Sequence, residues 1–228
     1  MIRPLRFAVL AIAALGLAGC ALSMPPSTQS EALVEKARST VEAFKQRQEP
    51  PNDIFRAELR NARGIVVLPG VIKGGLFVGA EVGDGVLLAR DDTGAWGYPA
   101  FYTLGAGNFG IQIGAEASEI VLVLRSDKAV AAMVNHQGKL GAEVEVTGGT
   151  IGAGIGAATT ANVGADIVAF SKGTGIYGGG VIEGAVLARR KDLNEGYYGA
   201  GATPQAIVFE RKHTNAHADS LRSALAIN

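Results

Sequence analysis

Cysteine is almost missing from this chain: among its 228 residues only Cys20 carries a thiol, so no internal disulfide can form. There is no excess of basic charge either. Lysine plus arginine and aspartate plus glutamate number 21 each, which leaves no electrostatic footprint for nucleic acid. Catalytic signatures are absent as well. No Gly-x-Ser-x-Gly elbow occurs, and no cysteine beyond Cys20 remains to act as a nucleophile. The run Gly105-Ala106-Gly107-Asn108-Phe109-Gly110 satisfies G-x-G-x-x-G. That fingerprint has to follow a strand and open a helix, whereas Ile111-Gln112-Ile113 continues as a strand. The Gly148 to Gly156 run lacks the Gly-Lys-Ser/Thr ending of a phosphate loop. His213 and His217 are spaced for one helical face, but no third histidine or pair of acids stands near them to complete a metal site, and His136 is distant. They read as an exposed pair on a tail helix. These absences point to a non-catalytic protein with no metal and no cofactor.

Long apolar runs are scarce, and the one at the N-terminus is short. Arg3 and Arg6 precede an apolar core from Phe7 to Leu17, closed by Leu17-Ala18-Gly19-Cys20. The segment is too short for a comfortable membrane span and has the layout of a secretory signal. Its last four residues resemble the lipobox of bacterial lipoproteins, in which cleavage leaves the cysteine as a lipidated first residue. Residues 1–19 are therefore expected to be a signal peptide, and residues 20–29, with Pro25 and Pro26, a linker. Removing residues 1–19 takes away Arg3 and Arg6 and no acid, leaving 19 basic side chains against 21 acidic ones. Attraction to anionic headgroups would then have to come from a local patch.

Glycine, by contrast, is abundant: 32 residues, well above the usual ~7%. No Gly-X-Y period accompanies it, so collagen is excluded. Apolar strand-like runs lie between the glycines, which argues against disorder. Gly75 to Asp84 is echoed at an offset of one hundred residues by Gly175 to Gly184; at that offset Leu76 meets Ile176, Phe77 meets Tyr177, Val86 meets Val186, Leu87 meets Leu187 and Arg90 meets Arg190. One sheet element used twice would give this pattern, and so would the shared composition of glycine-rich strands.

The expected elements follow from periodicity and punctuation. A helix over Ser30–Gln46 places Val34, Ala37, Val41 and Phe44 on one face, with Thr28 and Glu31 as a capping box. A mixed-charge polar face favours packing on the sheet over lying on a membrane. Pro50-Pro51 ends it, and a short helix with Ile54, Phe55 and Leu59 follows. Strands are expected at Ile65–Leu68 (ended by Pro69-Gly70), Leu76–Val82, Val86–Arg90, Trp96–Tyr102, Asn108–Glu116 and Glu119–Arg125, with a turn at Asp91–Gly94. Ser126 caps a central helix with Ala129, Val130, Met133 and Val134 inward. Further strands are expected at Leu140–Thr147, Asp166–Ser171 and Gly180–Arg189, with a low-complexity loop over Gly148–Ala165. Pro204 opens a short helix, and a tail helix spans Asn215–Ala226. The short turns favour antiparallel pairing. The expected fold is one α+β domain over residues 30–228: a curled, mostly antiparallel β-sheet, barrel- or sandwich-like, with N-terminal, central and C-terminal helices around it.

The ordered motifs resemble a known family. Ala62-Arg63-Gly64-Ile65, Lys73-Gly74-Gly75-Leu76-Phe77-Val78-Gly79, Trp96-Gly97-Tyr98-Pro99-Ala100-Phe101, Gly110-Ile111-Gln112-Ile113-Gly114-Ala115 and Gly175 to Gly184 are similar, in order, to those of the SYLF lipid-binding domain, over about residues 35–210. The resemblance implies binding to membrane lipids and no catalysis. Gly97 stands where a serine is common, and Gly148-Gly149-Thr150-Ile151-Gly152 lacks the proline and basic residue often found there. A generic phospholipid is thus the expected partner, and the family's phosphoinositide preference is not carried over.

The candidate site residues are Cys20 for lipidation and Lys73, Lys172, Arg189, Arg190 and Lys191 for anionic lipid headgroups. Lys73 and Lys172 each precede a glycine-rich fragment, where bare backbone could admit a phosphate to main-chain amides. Ala21, rather than aspartate, after Cys20 points to the outer membrane by the usual bacterial sorting rule, with the domain facing the periplasm. The competing expectation is a structural or protein-interaction module of the envelope.

Overall fold

The computed structural model describes residues 24–46, 54–75, 78–109, 114–135, 146–150, 166–173 and 185–227. Cys20, the second glycine-rich fragment and most of the low-complexity run lie outside the described residues. The elements are α1 (Pro26–Gln46), α2 (Ile54–Asn61), β1 (Gly64–Gly75), β2 (Val78–Ala89), β3 (Ala100–Phe109), β4 (Gly114–Leu124), α3 (Asp127–Asn135), β5 (Val146–Thr150), β6 (Ile167–Gly173), β7 (Val186–Arg189) and α4 (Lys191–Tyr198). A π-helical turn at Gln205–Phe209, a 3-10 turn at Ala216–Ala218 and α5 (Asp219–Ala224) complete the chain.

The seven strands form one sheet in the order β5-β6-β4-β1-β2-β3-β7. Every pairing is antiparallel except β5 with β6, which is parallel. Among the described residues the sheet is open, with β5 and β7 at its edges. It separates two apolar clusters. Alternate residues of the central strands face opposite ways: Val67, Val86, Phe101 and Val121 pack under α1, α2, α4 and α5, while Leu68, Leu87, Tyr102 and Ile120 pack under α3 and the π-helical turn.

α1 packs on the sheet as its periodicity predicts: Val34, Ala37, Val41 and Phe44 are all buried. It starts four residues earlier than expected, inside the presumed linker, because Pro26 occupies the first helical turn with φ already set and the Pro25 carbonyl accepts from the Gln29 N–H at 2.9 Å. Thr28 therefore lies within the helix and caps nothing. α2 is anchored by Phe55 and Leu59. Phe55 stands between Phe44 and Phe170, with ring centroids 5.5 and 5.2 Å away. Ser126 caps α3, its hydroxyl accepting from the Ala129 N–H at 3.1 Å. Thr203 does the same for the π-helical turn through the Ala206 N–H at 3.2 Å. The tail packs through buried Leu221 and Leu225.

The expected breaks after Tyr102 and after Glu116 lie inside β3 and β4, and two further sequence boundaries dissolve where β1 meets β2. β1 continues through Pro69-Gly70 to Gly75, and β2 runs unbroken across Gly83-Asp84-Gly85. The register explains both. Four residues of β1, Leu68 to Val71, oppose three of β2 between the pairs Val67↔Val86 and Ile72↔Val82. This is a β-bulge, the position in a central strand where proline is tolerated. A Cβ on Gly85 would come 2.5 Å from the Val67 carbonyl oxygen, and one on Gly83 would come 2.8 Å from that of Gly70. The two glycines are thus where β2 closes on the bulge. Gly105 and Gly107 sit within β3, so the G-x-G-x-x-G match begins inside a strand and not at a helix start.

The described parts of the internal echo, in β2 and β7, flank β3 on its two sides. Leu87 and Leu187 face the same apolar cluster. They are offset along β3, however, Leu87 lying opposite Ala100 and Leu187 opposite Leu104.

Candidate functional site

Lys73 and Lys172 flank the same strand, β4, on its two sides. Lys73 of β1 is in register with Glu116, and Lys172 of β6 with Glu119. Those two positions are three apart, so the lysines stand on opposite faces of the sheet. Lys73 Nζ lies 3.4 Å from Glu81 Oε1 on the α3 face. Lys172 Nζ donates to Glu119 Oε2 at 2.6 Å on the α1 face, where Glu119 Oε1 also accepts from the Thr40 hydroxyl of α1 at 2.9 Å. The two lysines therefore do not converge on one phosphate.

Arg190 is engaged just as fully. Its guanidinium forms a two-pronged pair with Asp192, at 2.9 and 2.7 Å, and donates to Asp84 Oδ1 at 2.7 Å. The same Asp84 oxygen accepts from the Thr103 hydroxyl, and its other oxygen from Gln29 Nε2 of α1 at 3.3 Å. These carboxylates hold the Arg190 pKa above its ordinary value, the hydrogen bonding it donates to Asp192 first, and Arg190 in turn lowers that of Asp192. Asn194, fully buried, fixes the start of α4 by exchanging hydrogen bonds with both backbone groups of Phe101, at 3.1 Å each. Arg189 and Lys191 remain exposed at the β7 edge, Lys191 Nζ lying 3.9 Å from Glu195.

These two carboxylate-centred nodes locate α1. It crosses the sheet with Gln29 over Asp84 and Thr40 over Glu119. Beyond that line, toward the ends of β1 and β3, no helix among the described residues covers the α1 face of the sheet. Ile72 and Val82, directly paired across β1 and β2, are 56% and 53% exposed. Ala80, Gly105, Gly107 and Ala117 on the same face are exposed too, while the alternating neighbours Val71, Glu81, Leu104 and Ser118 are buried. Sequence reading did not find this feature. It depends on where a helix stops covering a sheet, and the only local trace is the absence of charge at alternate positions.

The histidines do not share a helical face: His217 lies in the 3-10 turn, 3.2 Å from the Tyr197 hydroxyl, and His213 precedes it, tilted on the Tyr198 ring. Burial pushes the phenols of Tyr102, Tyr197 and Tyr198 above their ordinary pKa. Trp96 is buried between the sheet and the tail, its indole N–H donating to the Leu225 carbonyl at 3.2 Å, with the Arg90 guanidinium 4.6 Å from its ring centroid. Among the described residues no group of three His, Cys, Asp or Glu is placed to hold a metal ion, and no helix is long and apolar enough to cross a membrane.

An open sheet between helices, carrying such an apolar end and no metal cluster among the described residues, defines an α+β module. Residues 105–227 match the model of the Ysc84 family, described as "Las17-binding protein actin regulator". The chain belongs to this family, that of the SYLF domain. It is 29% identical over 208 residues to protein YSC84 of Saccharomyces cerevisiae, covering 87% of this chain and 43% of that protein. An SH3 domain-containing protein of Schizosaccharomyces pombe is 32% identical over 170 residues, 73% of this chain and 39% of its own length. The SH3 domain-containing YSC84-like protein 1 of Rattus norvegicus is 30% identical over 206 residues, 89% and 60% respectively. The chain thus spans about two fifths to three fifths of the length of these relatives.

Proposed function

We propose that this chain is a bacterial envelope lipoprotein, anchored through Cys20 in the outer membrane and facing the periplasm, whose domain binds phospholipid without catalysing a reaction. The observation that carries this reading is the short distance between anchor and fold. Cys20 closes a lipobox-like segment only six residues before Pro26, where α1 begins. Six residues span at most about 20 Å, so a lipidated Cys20 holds the domain against the bilayer. Several acyl chains, at ~0.8 kcal/mol per buried CH₂, give lasting attachment where one chain is marginal.

A second reading draws on the relatives' names. The family description and one relative's name both specify binding to Las17, a protein partner. On that reading the same module meets a protein of the envelope. Cys20→Ser tests the anchor. The variant is expected to lose the acyl mass and to leave detergent-soluble membranes. Retention there with unchanged mass contradicts the anchor.

A further inference from the structure

We propose that the uncovered end of the sheet, centred on the Ile72–Val82 pair, is a bilayer-insertion surface that enters the boundary between headgroups and acyl chains. This inference rests on the lipid reading above and assigns it a place on the molecule.

Three observations lead to a lipid surface as the occupant. The first is composition. Ile72, Ala80, Val82, Gly105, Gly107 and Ala117 all face one way, all are exposed, and none carries a polar side chain. Exposed singly, such residues need no explanation, but here six lie on neighbouring strands, with Ile72 and Val82 in direct cross-strand register.

The second is the charged border. On the same face, the line where α1 crosses the sheet carries Lys172 with Glu119 and Arg190 with Asp84. Glu119 and Asp84 each lie two residues from the apolar positions Ala117 and Val82, a rise of about 7 Å along a strand. An apolar tip with an ion-paired polar collar one such step behind it is the layout of an interfacial element, whose polar groups stay at headgroup level while its apolar face is buried ~5–10 Å deep. In this arrangement the ion-paired Lys172–Glu119 and Arg190–Asp84–Asp192 groups mark the polar level of the collar without adding net positive charge, and Lys73 lies on the other face.

The third is the tether. α1 begins at Pro26, and Gln29 on its first turn touches Asp84 at 3.3 Å. The chain from Cys20 therefore enters the fold beside this border. With a reach of about 20 Å, a lipidated Cys20 holds this end of the sheet near the bilayer.

The lone cysteine makes a direct test possible in the full chain. One further cysteine per chain is introduced, at Ile72→Cys or Val82→Cys, or at the exposed positions Lys128→Cys or Lys212→Cys, whose lysine side chains are 71% and 68% accessible. Each chain is labelled with an environment-sensitive fluorophore and reconstituted in phosphatidylethanolamine/phosphatidylglycerol vesicles containing acyl-chain spin-labelled lipid. The parent chain, treated identically, supplies the background from Cys20. The expected result is a blue shift and loss of emission at positions 72 and 82, with water-like, unquenched emission at 128 and 212. Quenching at either of those two positions, with 72 and 82 water-like, overturns the proposed surface and leaves the lipid reading standing. Equal quenching at all four also overturns the surface. Quenching at none overturns both.

Discussion

Gly85→Ala is expected to destabilise the domain by about 3 kcal/mol or more, the upper end for overpacking a closed site. The added Cβ would lie 2.5 Å from the Val67 carbonyl oxygen and 2.7 Å from Leu68 Cδ2. The first of these is backbone, in a strand hydrogen-bonded on both sides to β2 and β4, so it cannot move aside without disturbing two ladders. In a chain of this size the loss corresponds to a fall in Tm of roughly 6–12 °C. Gly70→Ala is the matched control. It lies on the same bulge, yet an added Cβ there meets nothing within 4 Å, so its expected effect is within about 0.5 kcal/mol. Calorimetry on the two variants decides the matter, and equal melting temperatures would contradict the bulge geometry.

Phe55→Ala is the second large loss, about 3–5 kcal/mol for a fully buried phenylalanine. α2 has eight residues and buries only two of them, Phe55 and Leu59. Phe55 is also the link between Phe44 of α1 and Phe170 of β6. Its removal leaves a cavity under both helices and deprives α2 of half its anchorage. Urea unfolding should show the loss, and hydrogen exchange should show it concentrated in α2 and the adjoining end of α1. Phe55→Leu, which keeps most of the volume, should cost less than half as much. A loss below 1 kcal/mol for alanine, on the order of a surface substitution, would remove Phe55 from the core.

The helices were legible because their information is local. Val34, Ala37, Val41 and Phe44 recur with the helical period, and all four are buried. Ser126 precedes its helix as a cap and makes the capping hydrogen bond. The strands were legible in type but not in extent. Pro69-Gly70 and Gly83-Asp84-Gly85 read as breaks because proline and glycine end strands in isolation. Here they are the two sides of one bulge, and only the register between β1 and β2 shows it.

The charged residues were legible as basic and opaque in role for the same reason. Lys172 meets Glu119 across 53 positions, and Arg190 meets Asp84 across 106. No local spacing reveals such partners. Nor does it reveal that one residue of strand parity sends Lys73 and Lys172 to opposite faces. The apolar sheet end was harder still. Ile72 and Val82 look like core residues in any window of sequence, and they are exposed because α1, fixed over Asp84 and Glu119, leaves that end of the sheet uncovered.

The phospholipid reading is tested most directly by native mass spectrometry of the gently purified mature chain. The account predicts species heavier than the covalently acylated protein by the mass of one or more phospholipids, which dissociate on collisional activation. The acylated chain alone, or the chain with a protein partner and no phospholipid, would contradict it.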